Sequence, residues 1–237
     1  MLYLHFKMQD NPSLSAKTLE RYRRMYTGAF YKRYVLGEWI GAYGRVYPMF
    51  ERSKHVVKAA PEKLERYIVS CDYGTTNPTS MGLWGYSREE GVWYRVGEYY
   101  HCSRTTGIVK TDEEYADDLE NLVGTRKIEA VIIDPSAASF IQAVRFRGRF
   151  GVIPADNDVV KGIGVVAGKL KTGEIKFLEN CENSIREFDL YRWDMSAGKD
   201  APVKQNDHAM DDIRYFATYV FGEKNSGFYM VATKRQK

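Results

Sequence analysis

The chain has 237 residues, 44% hydrophobic and 28% charged, which is typical of a globular protein with a substantial core and excludes a disordered chain. No apolar run approaches the roughly 20 residues of a membrane-spanning helix, and the opening "MLYLHFKMQDNPS" is too short and too mixed for a secretory signal. The three cysteines, Cys71, Cys102 and Cys181, form neither a CxxC pair nor a zinc-binding spacing. We therefore expect a reducing cytoplasm and no membrane partner.

The formal net charge of +4 is unevenly distributed along the chain. Residues 1–66 contain 13 Lys and Arg against 6 Asp and Glu, a net of +7, whereas residues 67–237 contain 22 against 25, a net of −3. A basic segment beside an acidic-leaning domain favours a polyanionic partner, although a solvated helix face would explain the charge equally well.

The first segment is predicted to contain a helix with an aromatic stripe. In "DNPSLS", Ser13 or Ser15 is expected to cap the helix that follows. Aromatic residues then recur every four positions, which places them on one helical face: Tyr22, Tyr26, Phe30 and Tyr34. Such rings can stack on nucleic-acid bases, but more often they pack against a neighbouring domain.

From Tyr67 onward, strand patterns and helix patterns alternate. Three strands, "RYIVSCDYG", "TSMGLWGYS" and "GVWYRVGEYYH", predict an antiparallel meander. The helix "TDEEYADDLENLVG" follows, and then the continuously apolar strand "KIEAVIIDPSA", which is typical of a strand buried on both faces. Two further helix–strand pairs and two final helices complete the pattern. We expect an α/β fold whose mixed sheet carries helices on both faces.

Three acidic positions stand at the ends of these elements. Asp72 closes the first strand, Asp134 closes "AVIIDPS", and "NDHAMDD" begins the last helix with His208 and Asp211 on one side. Functional groups gather beyond strand ends in open α/β sheets. Carboxylates brought together repel, and Mg²⁺ or Mn²⁺ would relieve that repulsion. Two such ions about 3.5–4 Å apart can support phosphodiester cleavage, whereas each acid taken singly has an ordinary role at a turn or helix start.

Three stretches, "IVSCDYGTTNPT", "VIIDPSAASF" and above all "NDHAMDDIRY", resemble the nuclease domain of the large terminase subunit of tailed bacteriophages and prophages. The family pattern in the last stretch is Asp-His-Ala-x-Asp-small-x-Arg-Tyr. The resemblance implies a ribonuclease H-like fold and a metal-dependent endonuclease that cuts concatemeric viral DNA during genome packaging. It implies that Asp72, Asp134 and Asp211 hold two Mg²⁺ or Mn²⁺ ions and that His208 assists.

The resemblance also implies an organisation and a set of partners. Residues 1–62 look like the segment that leads out of the packaging ATPase, and residues 63–237 would be the nuclease domain. The implied partners are double-stranded DNA, the terminase small subunit, the portal protein and the ATPase domain, in the cytoplasm of the bacterial host. The sequence itself contains no G-x-x-x-x-G-K-[ST] motif, so we expect no ATP hydrolysis by this chain, whether it is an excised domain or the product of a shortened gene.

One residue departs from the family pattern. Asp212 stands where the family has a small residue, and helical geometry leaves both it and Asp211 open as the third ligand. The pattern favours Asp211.

Contacts to the DNA backbone are expected from Lys and Arg side chains, which neutralise phosphates and make binding depend on salt. The candidates are Arg145, Arg147 and Arg149 in "VRFRGRF", and Lys161, Lys169 and Lys171.

Three other functions remain open on the sequence alone. A junction resolvase would share the fold and the chemistry, and a DNA-binding or assembly module would share the fold without cutting. The "DYGTT" stretch also suits the phosphate loop of an actin-like or sugar-kinase-like ATPase, but the second Asp-Gly pair and the Gly-rich adenosine loop of that superfamily are missing.

Overall fold

The computed structural model describes residues 5–26, 31–38, 44–194, 196 and 200–222. Seven strands lie in these ranges: β1 (Val56–Val57), β2 (Arg66–Asp72), β3 (Thr79–Ser87), β4 (Val92–His101), β5 (Val131–Ile133), β6 (Val152–Pro154) and β7 (Ile175–Leu178). The α-helices in the same ranges are α1 (Ala16–Met25), α2 (Arg52–His55), α3 (Ser103–Thr106), α4 (Asp112–Val123), α5 (Ala138–Arg147), α6 (Val159–Thr172), α7 (Glu182–Leu190) and α8 (His208–Phe221).

The described strands form one sheet in the order β1-β7-β4-β3-β2-β5-β6. Strands β2, β3 and β4 pair antiparallel, as the meander prediction requires. On one side, β5 pairs in parallel with β2, and β6 pairs in parallel with β5. On the other side, β7 pairs in parallel with β4, and β1 pairs in parallel with β7. This mixed sheet confirms the predicted α/β fold class.

Two hydrophobic layers cover the sheet because strand side chains alternate between its faces. On one face, α4 and α5 pack over a core that contains Val69, Leu119 and Phe140. On the other face, α6, α7 and α8 pack over a core that contains Trp84 and Phe216, whose rings stack at 3.8 Å between centroids. The end of β2 and the start of α8 therefore meet on the same side of the sheet.

The first segment contains the predicted cap but not one continuous helix. The hydroxyl of Ser15 accepts the amide of Thr18, and α1 ends at Met25. A π-helical turn follows at Tyr31–Val35. Tyr26 nevertheless meets the rings of Tyr22, at 5.9 Å, and Tyr34, at 5.1 Å. Phe30 lies outside the described residues, as do residues 223–237.

Residues 44–57 form a strap that is integrated with the sheet domain. Tyr47 and Phe50 are buried in the core beside α7, where Phe50 stacks on Phe188 at 4.2 Å. The strap ends in β1, which pairs with β7. A domain boundary at residue 62 stays a prediction, and the strap upstream of it contributes to the same core. Within the described residues, no helix has the length and apolar character needed to cross a membrane.

Candidate active site

Asp72 and Asp134 lie side by side at one edge of the sheet. Strands β2 and β5 are parallel neighbours, and their register pairs Cys71 with Ile133. The next residue on each strand is the carboxylate predicted from the sequence. Backbone alternation turns both carboxylates toward α8, the face on which Ile132 is buried. The fold therefore brings together two acids that are 62 positions apart in the sequence (134 − 72).

The first turn of α8 adds His208 to this edge. Its Nδ1 lies 2.9 Å from Oδ2 of Asp72. Burial raises the pKa of Asp72 to about 7, with the carboxylates of Asp211 and Asp212 adding to the rise and His208 opposing it. Burial alone would lower the pKa of His208, but Asp72 and other acids around it raise it. Both shifts favour a proton held between Asp72 and His208 near neutral pH.

A carboxylate from another helix fixes the start of α8. Asp207 is the N-cap residue of this helix, but its side chain makes no capping hydrogen bond. Instead, Oε2 of the buried Glu187 on α7 accepts the amide of Ala209 at 2.8 Å. Oε1 of Glu187 accepts the hydroxyl of Tyr100 at 2.7 Å. The segment that carries His208 is thus tied to α7 and β4.

We expect Glu187→Ala to lower the free energy of unfolding by about 1–3 kcal/mol, because the amide of Ala209 and the hydroxyl of Tyr100 would be left buried without a partner. Urea unfolding monitored by circular dichroism measures the effect. The exposed Glu179 provides the control, and Glu179→Ala should change stability by less than about 0.5 kcal/mol. Equal changes in the two variants would contradict a capping role for Glu187.

Tyr215 connects α8 to the second strand end. Its hydroxyl donates to Oδ2 of Asp134 at 2.9 Å, and Oδ1 of Asp134 accepts the amide of Ser136 at 2.7 Å. Burial acts to raise the pKa of Asp134, but these hydrogen bonds outweigh it and lower the pKa. The pKa of Tyr215 is raised by burial and then by the charges of Asp72, Asp211 and Asp134. The Tyr215 hydroxyl therefore stays protonated and available to hold Asp134.

Asp211 is buried next to this group but keeps an outward connection. Its Oδ1 accepts Nη2 of Arg214 at 2.7 Å, one turn along α8. Its Oδ2 lies 3.8 Å from Nζ of the exposed Lys204. Hence Oδ1 of Asp211 is hydrogen-bonded within the helix, whereas Oδ2 faces only the exposed Lys204.

Asp212, the departure from the family pattern, has a different environment. It is fully buried and forms an ion pair with Arg95, which is also fully buried. Nη2 of Arg95 donates to its Oδ2 at 2.9 Å, and the hydroxyls of Ser70 and Ser80 complete its hydrogen bonds. Burial alone would lower the pKa of Arg95, but Asp212 raises it. Burial raises the pKa of Asp212, and Arg95 and the two serine hydroxyls oppose that rise. Every oxygen of Asp212 is used inside the fold.

Gly82 on β3 makes space for this ion pair. A Cβ atom at position 82 would lie 1.9 Å from Nη1 of Arg95, so no other residue type fits there without displacing the guanidinium. The ion pair of Arg95 and the contact of Tyr215 with Asp134 were not predicted from the sequence. The pattern "VWYRV" did carry a signal for Arg95, since a charged residue inside a buried strand needs a buried partner.

Among the described residues, no three His, Cys, Asp or Glu side chains converge closely enough, as they stand, to hold a metal ion. The chemistry of the donors nevertheless fits a hard divalent cation, because Asp72, Asp134 and Asp211 offer carboxylate oxygens. The raised pKa of Asp72 has burial and like charge as its causes, and a cation would oppose both. These three residues could hold such an ion, whereas both carboxylate oxygens of Asp212 already accept hydrogen bonds.

The six cations predicted to contact DNA do not form one patch. They divide between the two faces of the sheet, with Arg145, Arg147 and Arg149 on or just after α5 and Lys161, Lys169 and Lys171 on α6. Arg147 pairs with Glu113 and Asp117 of α4, and Arg149 pairs with Glu120.

The lysines on α6 are similarly engaged. Lys161 pairs with Asp156 at 2.7 Å, and Lys169 pairs with Glu174 at 2.7 Å. Arg145 and Lys171 are exposed, and neither forms an ion pair with another described residue. Phosphate contacts by these six residues stay a prediction, and of the six Arg145 and Lys171 are the best placed to make them.

Solved structures of phage large terminases resemble this chain. The large terminase of a thermophilic bacteriophage, solved in complex with ADP, is 48% identical and has a TM-score of 0.83, covering 92% of this chain and 55% of that chain. The nuclease domain of the P22 large terminase is 18% identical with a TM-score of 0.58, covering 74% of this chain and 92% of that domain. The nuclease domain of the bacteriophage SPP1 large terminase, solved with bound Mn, is 16% identical with a TM-score of 0.52, covering 70% of this chain and 96% of that domain.

A search of curated proteins gives the same family. The terminase large subunit of Escherichia phage T5 is 20% identical over 225 residues, which cover 90% of this chain and 50% of that protein. No protein-family profile matches the chain. The chain spans about half the length of the complete terminases that it matches. It is a relative of the phage large terminase subunits, and its sheet domain has the ribonuclease H-like fold of their nuclease domains.

Proposed function

We propose that this chain is a metal-dependent endonuclease that cuts double-stranded, concatemeric viral DNA during genome packaging. The observation that carries the proposal is the placement of Asp72 and Asp134 at the ends of two neighbouring parallel strands, where His208 and Tyr215 of α8 contact them. A group of acids at one sheet edge has no structural need, because burying them together is unfavourable. Similarity to terminase nuclease domains supports the same assignment.

Each residue of the site has a proposed role. Asp72, Asp134 and Asp211 would hold one or two Mg²⁺ or Mn²⁺ ions, as the Mn bound to the SPP1 domain suggests. When bound, such ions supply an activated water and stabilise the charge that develops on the phosphate. Tyr215 holds Asp134 in orientation through its hydroxyl. His208 shares a proton with Asp72 at its Nδ1 and keeps that carboxylate facing α8.

The proposed partners follow from the family. Double-stranded DNA is the substrate, and the terminase small subunit, the portal protein and an ATPase domain would act with the nuclease in the cytoplasm of the bacterial host. Residues 44–57 pack on the sheet domain, so this part of the upstream segment shares its core.

Plasmid cleavage tests the proposed function. Supercoiled plasmid incubated with the wild-type protein should be nicked and linearised with Mn²⁺ or Mg²⁺, left intact with EDTA, and cut again when Mn²⁺ is restored in excess. Cleavage that persists in EDTA would contradict a metal-dependent mechanism. A failure to cut with either metal would contradict the nuclease assignment for this chain.

A second candidate is a packaging module that binds DNA without cutting it. The observation in its favour is that no three ligands among the described residues converge on a metal position. DNA binding without cleavage in Mn²⁺ would favour this second function.

A further inference from the structure

The first turn of α8 has one side at the proposed cutting edge and another side that the fold holds. His208 and Asp211 are three residues apart, so they share a side of the helix, and His208 contacts Asp72 there. Ala209 and Asp212 have the same spacing and share the neighbouring side, where both are fully buried. The contacts on this buried side therefore decide where the two proposed catalytic residues lie.

Strand β4 supplies polar side chains to the buried side because it contains a β-bulge. Its pairing with β3 shifts at Val96, which has no partner in the register. Val96 and Tyr99 pack in the core under α4, whereas Tyr100 packs in the core under α7 and α8. The extra residue turns Arg95 to the same face as Glu98 and Tyr100, as bulges beside functional sites commonly do.

Glu98 fixes the start of α7. The N-cap residue of α7, Cys181, makes no side-chain capping hydrogen bond. Instead, Oε1 of Glu98 accepts the amide of Asn183 at 2.8 Å, and Oε2 accepts the amide of Ser184 at 2.8 Å. Oε2 also lies 3.7 Å from Nη2 of Arg95, and the Glu98 side chain is only 3% exposed. The start of α7 is therefore tied to β4 by a buried carboxylate.

Glu187 extends this connection from α7 to α8. Its Oε2 accepts the amide of Ala209 at 2.8 Å, and its Oε1 accepts the hydroxyl of Tyr100 at 2.7 Å. An amide in the first turn of a helix has no acceptor within that helix, and the N-cap residue Asp207 offers no capping side chain. Glu187 thus holds the backbone of α8 at the residue that follows His208.

We propose that Glu187 is a positioning residue for DNA cleavage, which holds the first turn of α8 so that His208 and Asp211 face Asp72. The proposal rests on the proposed function of those three residues. Glu187 is fully buried, so it acts through the helix and not by contact with the substrate. A displacement of about 1 Å at a reacting centre can lower the rate about a hundredfold, and the Ala209 hydrogen bond opposes such a displacement.

Three variants separate positioning from a general loss of stability. Glu187→Met fills a similar volume but accepts no hydrogen bond. Glu187→Gln keeps both contacts, because its amide oxygen can accept the Ala209 amide and its amide nitrogen can donate to the oxygen of Tyr100. Thr111→Ala is the matched control, since it also removes a helix cap, at the start of α4 on the other face of the sheet.

Amide hydrogen exchange, measured by NMR in EDTA, tests the contact itself. Exchange at Ala209 should be at least about tenfold faster in Glu187→Met than in the wild type, because the hydrogen bond that protects the amide is lost. Glu187→Gln and Thr111→Ala should stay within about threefold of the wild type. Unchanged exchange in Glu187→Met would overturn the proposal.

Plasmid cleavage with Mn²⁺ tests the consequence for the reaction. In Glu187→Met, kcat should fall at least about tenfold while KM stays within about twofold, since the DNA-binding surface is intact. In Glu187→Gln, kcat should recover to within about threefold of the wild type, and Thr111→Ala should cut within about twofold of it. Wild-type kcat in Glu187→Met, or an equal fall in Thr111→Ala, would overturn the positioning role.

Mn²⁺ binding without DNA separates this proposal from the proposed function. Electron paramagnetic resonance of the free ion should show at least about threefold weaker binding to Glu187→Met, because Asp211 is displaced from the other ligands. A wild type that binds Mn²⁺ but does not cut would remove the nuclease function, and the Mn²⁺ affinities would then decide the positioning role. Equal affinities in that case would overturn it. A wild type that neither binds Mn²⁺ nor cuts would overturn both proposals.

Discussion

Asp72→Asn is expected to reduce metal-dependent DNA cleavage at least about a thousandfold, because it removes the charge of the ligand at the centre of the proposed site. The amide has the same shape as the carboxylate, and His208 can still donate from Nδ1 to its oxygen. Burial and like charge oppose ionisation of Asp72. The neutral residue should therefore leave the melting temperature unchanged or raise it, as is common when a functional charge is removed. Plasmid cleavage in Mn²⁺ and a thermal melt of the same sample measure the two effects.

The matched control for this variant is Asp117→Asn. Asp117 is exposed on α4, on the other face of the sheet, and pairs with Arg147. The control should cut plasmid at a rate within about twofold of the wild type, since surface ion pairs contribute little. Undiminished cleavage by Asp72→Asn would exclude Asp72 from the metal site. A lower melting temperature for Asp72→Asn would show instead that the residue supports the fold.

The second large effect is on stability. Asp212→Ala should lower the free energy of unfolding by about 3–5 kcal/mol, because it removes the carboxylate that the buried guanidinium of Arg95 hydrogen-bonds and leaves it only Glu98, 3.7 Å away. A loss of this size is a large fraction of the 5–15 kcal/mol typical of a folded domain. Urea unfolding at fixed pH measures it. Asp117→Ala provides the comparison, since it removes a carboxylate from an exposed ion pair with Arg147, and it should lower the free energy of unfolding by less than about 1 kcal/mol.

A double variant tests whether the cost comes from the unpaired charge. Asp212→Ala combined with Arg95→Met removes both charges and should regain part of the loss, so that the two substitutions are not additive. Equal stability of Asp212→Ala and the wild type would contradict a structural role for Asp212. It would reopen Asp212 as the third ligand.

Elements defined by local signals could be predicted from the sequence. In "TDEEYADDLENLVG", Thr111 accepts the amide of Glu114 while the Glu114 side chain accepts the amide of Thr111, and the helix ends before Gly124. The turn "REEG" joins β3 and β4, as predicted for the meander. The capping hydrogen bonds and the turn each involve only a few consecutive residues, so they depend little on contacts with distant parts of the chain.

The first segment shows where local periodicity fails. Spacing by four predicts one helix through Tyr34, but α1 ends at Met25 and the next turn is π-helical. Tyr26 and Tyr34 still meet, with 5.1 Å between their ring centroids. Helix propensity is a weak preference, and tertiary packing decided the outcome here.

The candidate site was predictable in part. Strand ends identified Asp72 and Asp134 as neighbours, because parallel strands end at the same edge. The environments of Asp211 and Asp212 could not be separated from the sequence, since the partner of Asp212 is Arg95, 117 positions away. The same holds for Arg147, which looked available for phosphate until α4 brought its acids alongside.

The space that Gly82 leaves for Arg95 has an evolutionary consequence. Asp212 is costly in the core without Arg95, and Arg95 takes its present position only because position 82 lacks a side chain. A lineage can therefore acquire or lose these three residues only in an order that avoids a lone buried charge. Terminases with a small residue at the position of Asp212 should lack the arginine and have no need of the glycine. Positions 82, 95 and 212 should thus vary as a group, separately from the acids that line the cutting edge.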